Sequence, residues 1–211
     1  MKLFIIGVGG FGREVYGWAR DCPEWGKSWD FAGFLDDGFE PGTSVFEDVK
    51  VVGGIKDFSP NSEDILISGL GNIKHKRNIL PFLLTKSCRF ATMIHPSAVI
   101  GRNVQLGIGA VICPYSVLTC DISIGNFCSL NLHCNIGHDV VAGDLLHMNS
   151  HSEINGNCRL GDGVFIGSHA FILQGKSVGN DAVLGAGSVV IQSVKDNVTV
   201  FGNPARELLS H

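Results

Sequence analysis

From Ile94 to Val190 an aliphatic residue returns at every sixth position, and this spacing rules out most of what a chain of this length can become. The series is Ile94, Ile100, Leu106, Ile112, Leu118, Ile124, Leu130, Ile136, Ala142, Met148, Ile154, Leu160, Ile166, Ile172, Val178, Leu184 and Val190. An amphipathic helix needs apolar spacings of three and four, and a hairpin sheet needs turn signals every ~8–12 residues. Neither tolerates an unbroken period of six, whereas a solenoid of stacked coils requires one. The residue after the aliphatic one is often glycine, as at Gly107, Gly125, Gly143 and Gly161, which reads as a corner needing an unusual backbone angle. Four places after it comes a mostly small residue, including Ala110, Ser116, Cys128, Cys134, Ser152, Cys158, Ala170 and Ser188. Stacked coils expose an apolar core at each end and need caps.

Downstream, Asp196 breaks the period, and NPARELLSH reads as a short helix begun by Asn203 and Pro204, so residues 196–211 are expected to cap the solenoid at 91–195. Upstream lie about 90 residues of another kind. LFIIGV is a buried strand, followed by Gly7-x-Gly9-Gly10-Phe11-Gly12-Arg13 and a helical stretch to about Arg20. This is the strand-to-helix turn that brings backbone N–H groups up to a phosphate. A second strand, FAGFLDD, ends in Asp36 and Asp37, about 24 residues past Gly12, where a Rossmann unit holds a ribose. A third, DILISGLG, leads through Gly71 and Asn72 into a basic helix. The segment is too short for two mononucleotide-binding halves. Residues 1–90 therefore read as a truncated Rossmann-like α/β domain for one nucleotide, with Gly9, Gly10, Phe11, Gly12, Arg13, Asp36, Asp37, Gly71 and Asn72 as its binding residues.

Composition narrows the partners. A hydrophobic fraction of 45% supports a packed core, and a net charge of -4 provides no field for nucleic acid or an anionic membrane surface. The early apolar run ends in glycines without a cleavage site, and no stretch approaches the ~18 apolar residues that span a bilayer. Seven cysteines without a CxxC pair suggest neither a disulfide framework nor a thiolate zinc site. A cytoplasmic protein acting on a small molecule is expected.

GVGGFGRE, GFLDD, GLGN, the junction MIHPSAVIG, the segment IGHDVVAGDLLHMN and the ending VFGNPAREL run nearly the length of the chain. Together they resemble the hexapeptide-repeat sugar acetyltransferases, the branch with nucleotide-aminosugar N-acetyltransferases of the bacillosamine and perosamine type and the sialic-acid O-acetyltransferases. The resemblance implies a left-handed parallel β-helix with three hexads per triangular coil. About seventeen hexads then make roughly five to six coils, on the order of 27 Å tall at ~4.8 Å per strand. It further implies a homotrimer with acetyl-CoA in the cleft between adjacent β-helices, and an N-terminal domain that holds a nucleotide-linked sugar for surface polysaccharide or glycan synthesis.

By the same resemblance His138 is the general base and Asp139 its acidic neighbour, while His147, Asn131, Gly156, Ser168 and Ala186 meet the cosubstrate. The chemistry agrees, since an amine or hydroxyl attacking a thioester must lose a proton and imidazole exchanges one near neutral pH. Adjacent strand residues face opposite ways, so Asp139 reaches the ring only if a corner distorts the alternation. His147 is half a coil from His138 and meets it only across subunits. Cys134 falls in the small inward column, which argues against a covalent cysteine route and for direct transfer. His133, His151 and His169, each 18 residues apart, are expected to stack as a ladder begun by Tyr115. Gamma-class carbonic anhydrases hold a metal with histidines on a similar solenoid, but a single column does not converge tetrahedrally. The alternatives to an aminosugar N-acetyltransferase are therefore a sialic-acid-type O-acetyltransferase, a metal-dependent hydratase, and a scaffold that only binds a nucleotide; no metal ligand set is assigned.

Overall fold

A computed structural model describes residues 1–46 and 48–208. The chain divides into two compact units, Met1–Pro96 and residues 97 onward.

In the first unit β1 (Lys2–Ile6), α1 (Gly10–Ala19), β2 (Asp30–Leu35), β3 (Ser44–Phe46), β4 (Val49–Gly53), β5 (Asp64–Ser68) and α2 (Ile73–Thr85) follow in order. The sheet runs β3-β4-β2-β1-β5, parallel throughout except where β3 turns back on β4. Leu3, Ile5, Ile6, Phe34, Leu66 and Ile67 are buried on both sides of its centre, as a parallel sheet covered by helices demands. Tyr16 of α1 lies among Phe31, Phe34 and Phe46, with ring centroids 4.8–5.9 Å away. Gly12 lets the helix settle on the strand ends, since a Cβ there would stand 1.9 Å from the Gly7 carbonyl oxygen. The α/β character follows the sequence reading; the β3–β4 hairpin is an addition.

The second unit is a left-handed parallel β-helix. Two-residue strands pair in strict 18-residue register, Val117 with Asn135, Val141 with Arg159, and Ser129 with His147. Three sheets result, carrying the strands at 99–190, at 104–178 and from 111 onward. The sixth-position aliphatics from Ile112 to Val190 all point inward and are buried, as are the small residues of the second column. Ile100 and Leu106 in the first coil are only partly covered.

The corner glycines proved to be there for a different reason from the one their spacing suggests. Gly107, Gly125, Gly143, Gly161 and Gly179 have ordinary backbone angles, and the left-handed residues of each coil are others, such as Asn103, Phe127, Asp139 and Leu145. What the glycines provide is room. An Asn or Asp in the next coil reaches back to a backbone N–H, as Asp144 Oδ1 accepts from Asn126 (2.7 Å), Asp162 Oδ1 from Asp144 (2.8 Å) and Asn180 Oδ1 from Asp162 (2.9 Å). A Cβ on Gly143 would stand 2.1 Å from Asp162 Oδ1, and one on Gly125 2.2 Å from Asp144 Oδ1. The ladder satisfies corner amides that the short strands leave over.

The described residues of the terminal segment form no helix. Residues 199–201 continue the solenoid beside 183–184, and Arg206–Glu207 folds back antiparallel on them. Val200, the aliphatic residue of this last strand, is buried in the core, and Phe201 covers Gly185. Capping a sheet by one more paired strand satisfies its edge, which a helix would have left open. The last three residues of NPARELLSH lie outside the described residues.

Gly143→Ala is expected to destabilise the protein by ~1–3 kcal/mol through forced repacking, read as a lower melting temperature. Gly17→Ala in α1, where an added Cβ meets nothing within 4 Å, is expected to leave it level or raise it. Equal shifts would refute the steric account.

Candidate active site

His138 and Asp139 occupy a corner between two sheets, after the strand Asn135–Ile136 and before Val141–Ala142. Asp139 has φ +59°, in the left-handed region that Asp and Asn tolerate better than most residues. This breaks the alternation of a strand, and the carboxylate swings back so that Oδ2 lies 2.7 Å from His138 Nδ1. Both side chains are about half exposed. The corner is held by main chain from both neighbouring coils: Asp139 N–H donates to the Cys120 carbonyl (3.2 Å), and Asn157 N–H donates to the His138 carbonyl (2.8 Å). Arg159 adds a guanidinium bond to the Asp139 carbonyl at 2.5 Å and another to that of Cys158 at 3.1 Å.

A carboxylate on Nδ1 selects the tautomer in which that nitrogen carries the proton and Nε2 presents its lone pair. The imidazole itself rests on Gly156, one coil above. A Cβ at 156 would come within 2.6 Å of both His138 Cε1 and Nε2, and the three nearest atoms all belong to that ring. Gly156, expected at the cosubstrate, therefore seats the ring of His138. Neither Arg159 nor Cys120 was expected at the site: Cys120 lies 18 positions before His138 and is visible from the register, whereas Arg159 pairs with Val141 and reaches the Asp139 carbonyl only through the length of its side chain.

The other expected residues lie elsewhere in the chain. Asn131, Ser168 and Ala186 gather at the preceding corner, where Asn131 Oδ1 accepts from Leu132 N–H (2.9 Å) and Gly187 N–H donates to the Ser168 carbonyl (2.8 Å). His147 sits on a strand of a third sheet, 3% exposed, with its ring stacked on Phe165 at 5.5 Å and 7°. Within one chain it does not join His138. Cys134 is buried in the solenoid core, its Sγ 3.2 Å from the Asn149 carbonyl, and burial pushes its thiol up to about 11. That is the environment of an inert thiol.

The histidine ladder forms as its spacing foretells. Ring centroids of Tyr115, His133, His151 and His169 follow at 5.0, 4.8 and 4.9 Å, with successive planes within 17°. Its members are themselves the left-handed corner residues of their coils. Face-to-face stacking leaves the nitrogens on ring edges rather than aimed at one centre. Among the described residues no group of three or more His, Cys, Asp or Glu is arranged to hold a metal ion.

In the N-terminal unit a cleft of about 320 Å³ is lined by Val8, Gly9, Arg13, Phe39, Thr43 and Ser44, among others. Gly9 and Gly10 open the N-terminus of α1, and a Cβ on either would meet nothing within 4 Å, so a ligand can approach the backbone closely. Phe11 is half-buried behind them, its ring edge-on to Trp18. Asp36 does not simply point outward: its Oδ2 accepts from Val8 N–H and its Oδ1 from Gly38 N–H, both at 2.9 Å. It ties the glycine turn to the end of β2. Asp37 accepts from Lys56 N–H at 3.0 Å. Asn72, following Gly71, caps α2 by accepting from His75 N–H at 3.2 Å.

Comparison with known proteins bears on both units. Residues 2–81 match the family model of the PglD N-terminal domain. WeeI from Acinetobacter baumannii AYE is 28% identical over 99% of this chain and 100% of its own, with a TM-score of 0.83. The acetyltransferase domain of PglB from Neisseria gonorrhoeae FA1090, in complex with acetyl coenzyme A, is 26% identical over 98% of each chain, with a TM-score of 0.86. A histidine mutant of perosamine N-acetyltransferase from Caulobacter crescentus, in complex with CoA and GDP-perosamine, is 26% identical over 100% of this chain and 98% of its own, with a TM-score of 0.89. No curated protein matches the chain by sequence.

Seating of the ring on Gly156 is testable without any assay of function. Gly156→Ala is expected to push the imidazole off Asp139, so that its ¹⁵N shifts lose the pattern of a proton fixed on Nδ1 while the melting temperature holds. Unchanged shifts would show that the ring does not depend on the missing side chain.

Proposed function

We propose that this member of the sugar acetyltransferase family transfers the acetyl group of acetyl-CoA to the amino group of a nucleotide-linked sugar. The observation that carries the reading is the His138–Asp139 pair, a 2.7 Å carboxylate–imidazole contact on an exposed corner with Nε2 presented as the acceptor for a proton. His138 takes the proton of the attacking amine as its nitrogen bonds to the thioester carbonyl, Asp139 stabilises the resulting imidazolium, and the proton leaves with the departing thiol as the C–S bond breaks. Backbone N–H groups in the cleft stabilise the tetrahedral oxyanion. Transfer is direct, since the nearby thiol of Cys134 is buried. An amine is favoured over the hydroxyl of the sialic-acid type because the glycine turn at Gly9–Gly12 and its cleft suit an acceptor carried on a nucleotide.

In this reading the N-terminal unit holds the nucleotide through Gly9, Gly10, Phe11, Gly12, Arg13, Gly71 and Asn72, with Asp36 and Asp37 shaping the loops around it. Asn131, Ser168 and Ala186 serve the cosubstrate from the neighbouring corner, and His147 from the strand before it. Because that corner and the His138 corner are separate in one chain, the complete site forms where copies meet, which a homotrimer provides. The cytoplasm suits seven free thiols, six of them buried, and no described helix is long and apolar enough to cross a membrane.

His138→Ala is expected to lower kcat by ~10²–10⁴-fold with the oligomer and CoA affinity unchanged, measured by thiol release, sedimentation and calorimetry. Turnover within a few-fold of the parent would remove His138 from the chemistry. Asp36→Ala is expected to weaken binding of the nucleotide sugar and spare CoA; equal losses in both titrations would overturn the two-site arrangement.

A further inference from the structure

The corner that carries His138 changes character along the solenoid. At 18-residue steps it reads Arg102–Asn103, Cys120–Asp121, His138–Asp139, Gly156–Asn157 and Gln174–Gly175. Above the pair, Gly156 bares the backbone. Below it, two coils hold an open groove of about 560 Å³ lined by Arg102, Asn103, Cys120 and Asp121. The groove is joined to the pair by the bond from Asp139 N–H to the Cys120 carbonyl, and its own coils by one from Asp121 N–H to the Arg102 carbonyl at 3.0 Å. Asn103 Nδ2 donates to Asp121 Oδ1 at 2.8 Å, which sets the carboxylate in place.

We propose that this groove seats the sugar ring of the acceptor, with Arg102, Asn103 and Asp121 binding its hydroxyls and Cys120 setting the size of ring that fits. The proposal rests on the reading of His138 as the base. Sugar hydroxyls both donate and accept, and the groove offers a donor-only guanidinium, an acceptor-only carboxylate and an amide that does both. A pantetheine arm, made of methylenes and two amides, is better matched by bare backbone of the kind Gly156 presents. Cys120 is one coil below His138, a step of ~4.8 Å, so a ring lying over it holds an amino substituent within reach of the imidazole. Burial, and then the Asp121 carboxylate, hold the Cys120 thiol above its ordinary range. It therefore remains a small neutral group there at neutral pH.

Cys120 is the one cysteine of the seven that is not buried, so alkylation reports on this groove alone. The full-length His138→Ala variant is treated with iodoacetamide at mildly alkaline pH and labelling of Cys120 is followed by mass spectrometry. The competitors, at millimolar concentration, are UDP-, GDP- and dTDP-linked 4-amino sugars, the corresponding bare diphosphates, and CoA. At least one aminosugar nucleotide is expected to slow labelling severalfold while its bare diphosphate and CoA do not. Protection by none of them, or equally by a bare diphosphate or CoA, overturns the proposal. In the parent enzyme Arg102→Ala is expected to raise the KM for the nucleotide sugar about tenfold and leave that for acetyl-CoA unchanged; a rise in both counts against it. The labelling needs no turnover, so an active His138→Ala variant would defeat the base assignment and still leave the groove decided by its protection pattern.

Discussion

Stacking of one coil on the next through backbone hydrogen bonds, in a register of 18 residues that shortens to 16 at the last coil, is the constraint from which the rest of the second unit follows. Because a strand here is only two residues long, no coil is stable alone, and each residue's environment is set by the residues 18 before and 18 after it. The inward aliphatic column, the Asn/Asp ladder, the stacked histidines and the seat of His138 on Gly156 are four outcomes of that one register. Small residues are required wherever a neighbouring coil reaches across, and large ones wherever nothing does.

The corners are where the solenoid acquires chemistry. A residue held at positive φ turns its side chain away from the strand alternation, and at Asp139 this brings a carboxylate back onto the ring of the preceding residue. The same geometry at His133, His151 and His169 yields only a stack, because their partners lie directly above and below. One backbone device thus gives a polarised imidazole at one corner and a parallel-faced column at another. The difference lies in the residue that precedes the left-handed one: His138 before Asp139, but Leu132, Ser150 and Ser168 before the three ladder histidines.

The N-terminal unit uses its acids differently from a dinucleotide-binding sheet. Asp36 spends one lone pair of each oxygen on a backbone amide, and so fixes the distance between the glycine turn and the β2 loop. Asn72 likewise spends its side-chain oxygen on the first turn of α2.

Periodicity alone determined that residues from about 94 onward form a solenoid, which residues face its core and that Cys134 is buried, since a period of six admits one register and inward positions follow from it. It also foretold the histidine ladder, because equal spacing in the chain becomes vertical stacking. The strand, glycine turn and acidic strand end identified the α/β unit. Tertiary structure alone decided what the corner glycines are for, since the clash they avoid is with an atom 17 to 19 residues away rather than with their own backbone. It decided that Asp139 meets His138 on the same side, which the alternation of a strand forbids and a left-handed corner allows. The same holds for the terminal strand in place of a helix, where an unsatisfied sheet edge outweighed the local preference of Asn203 and Pro204.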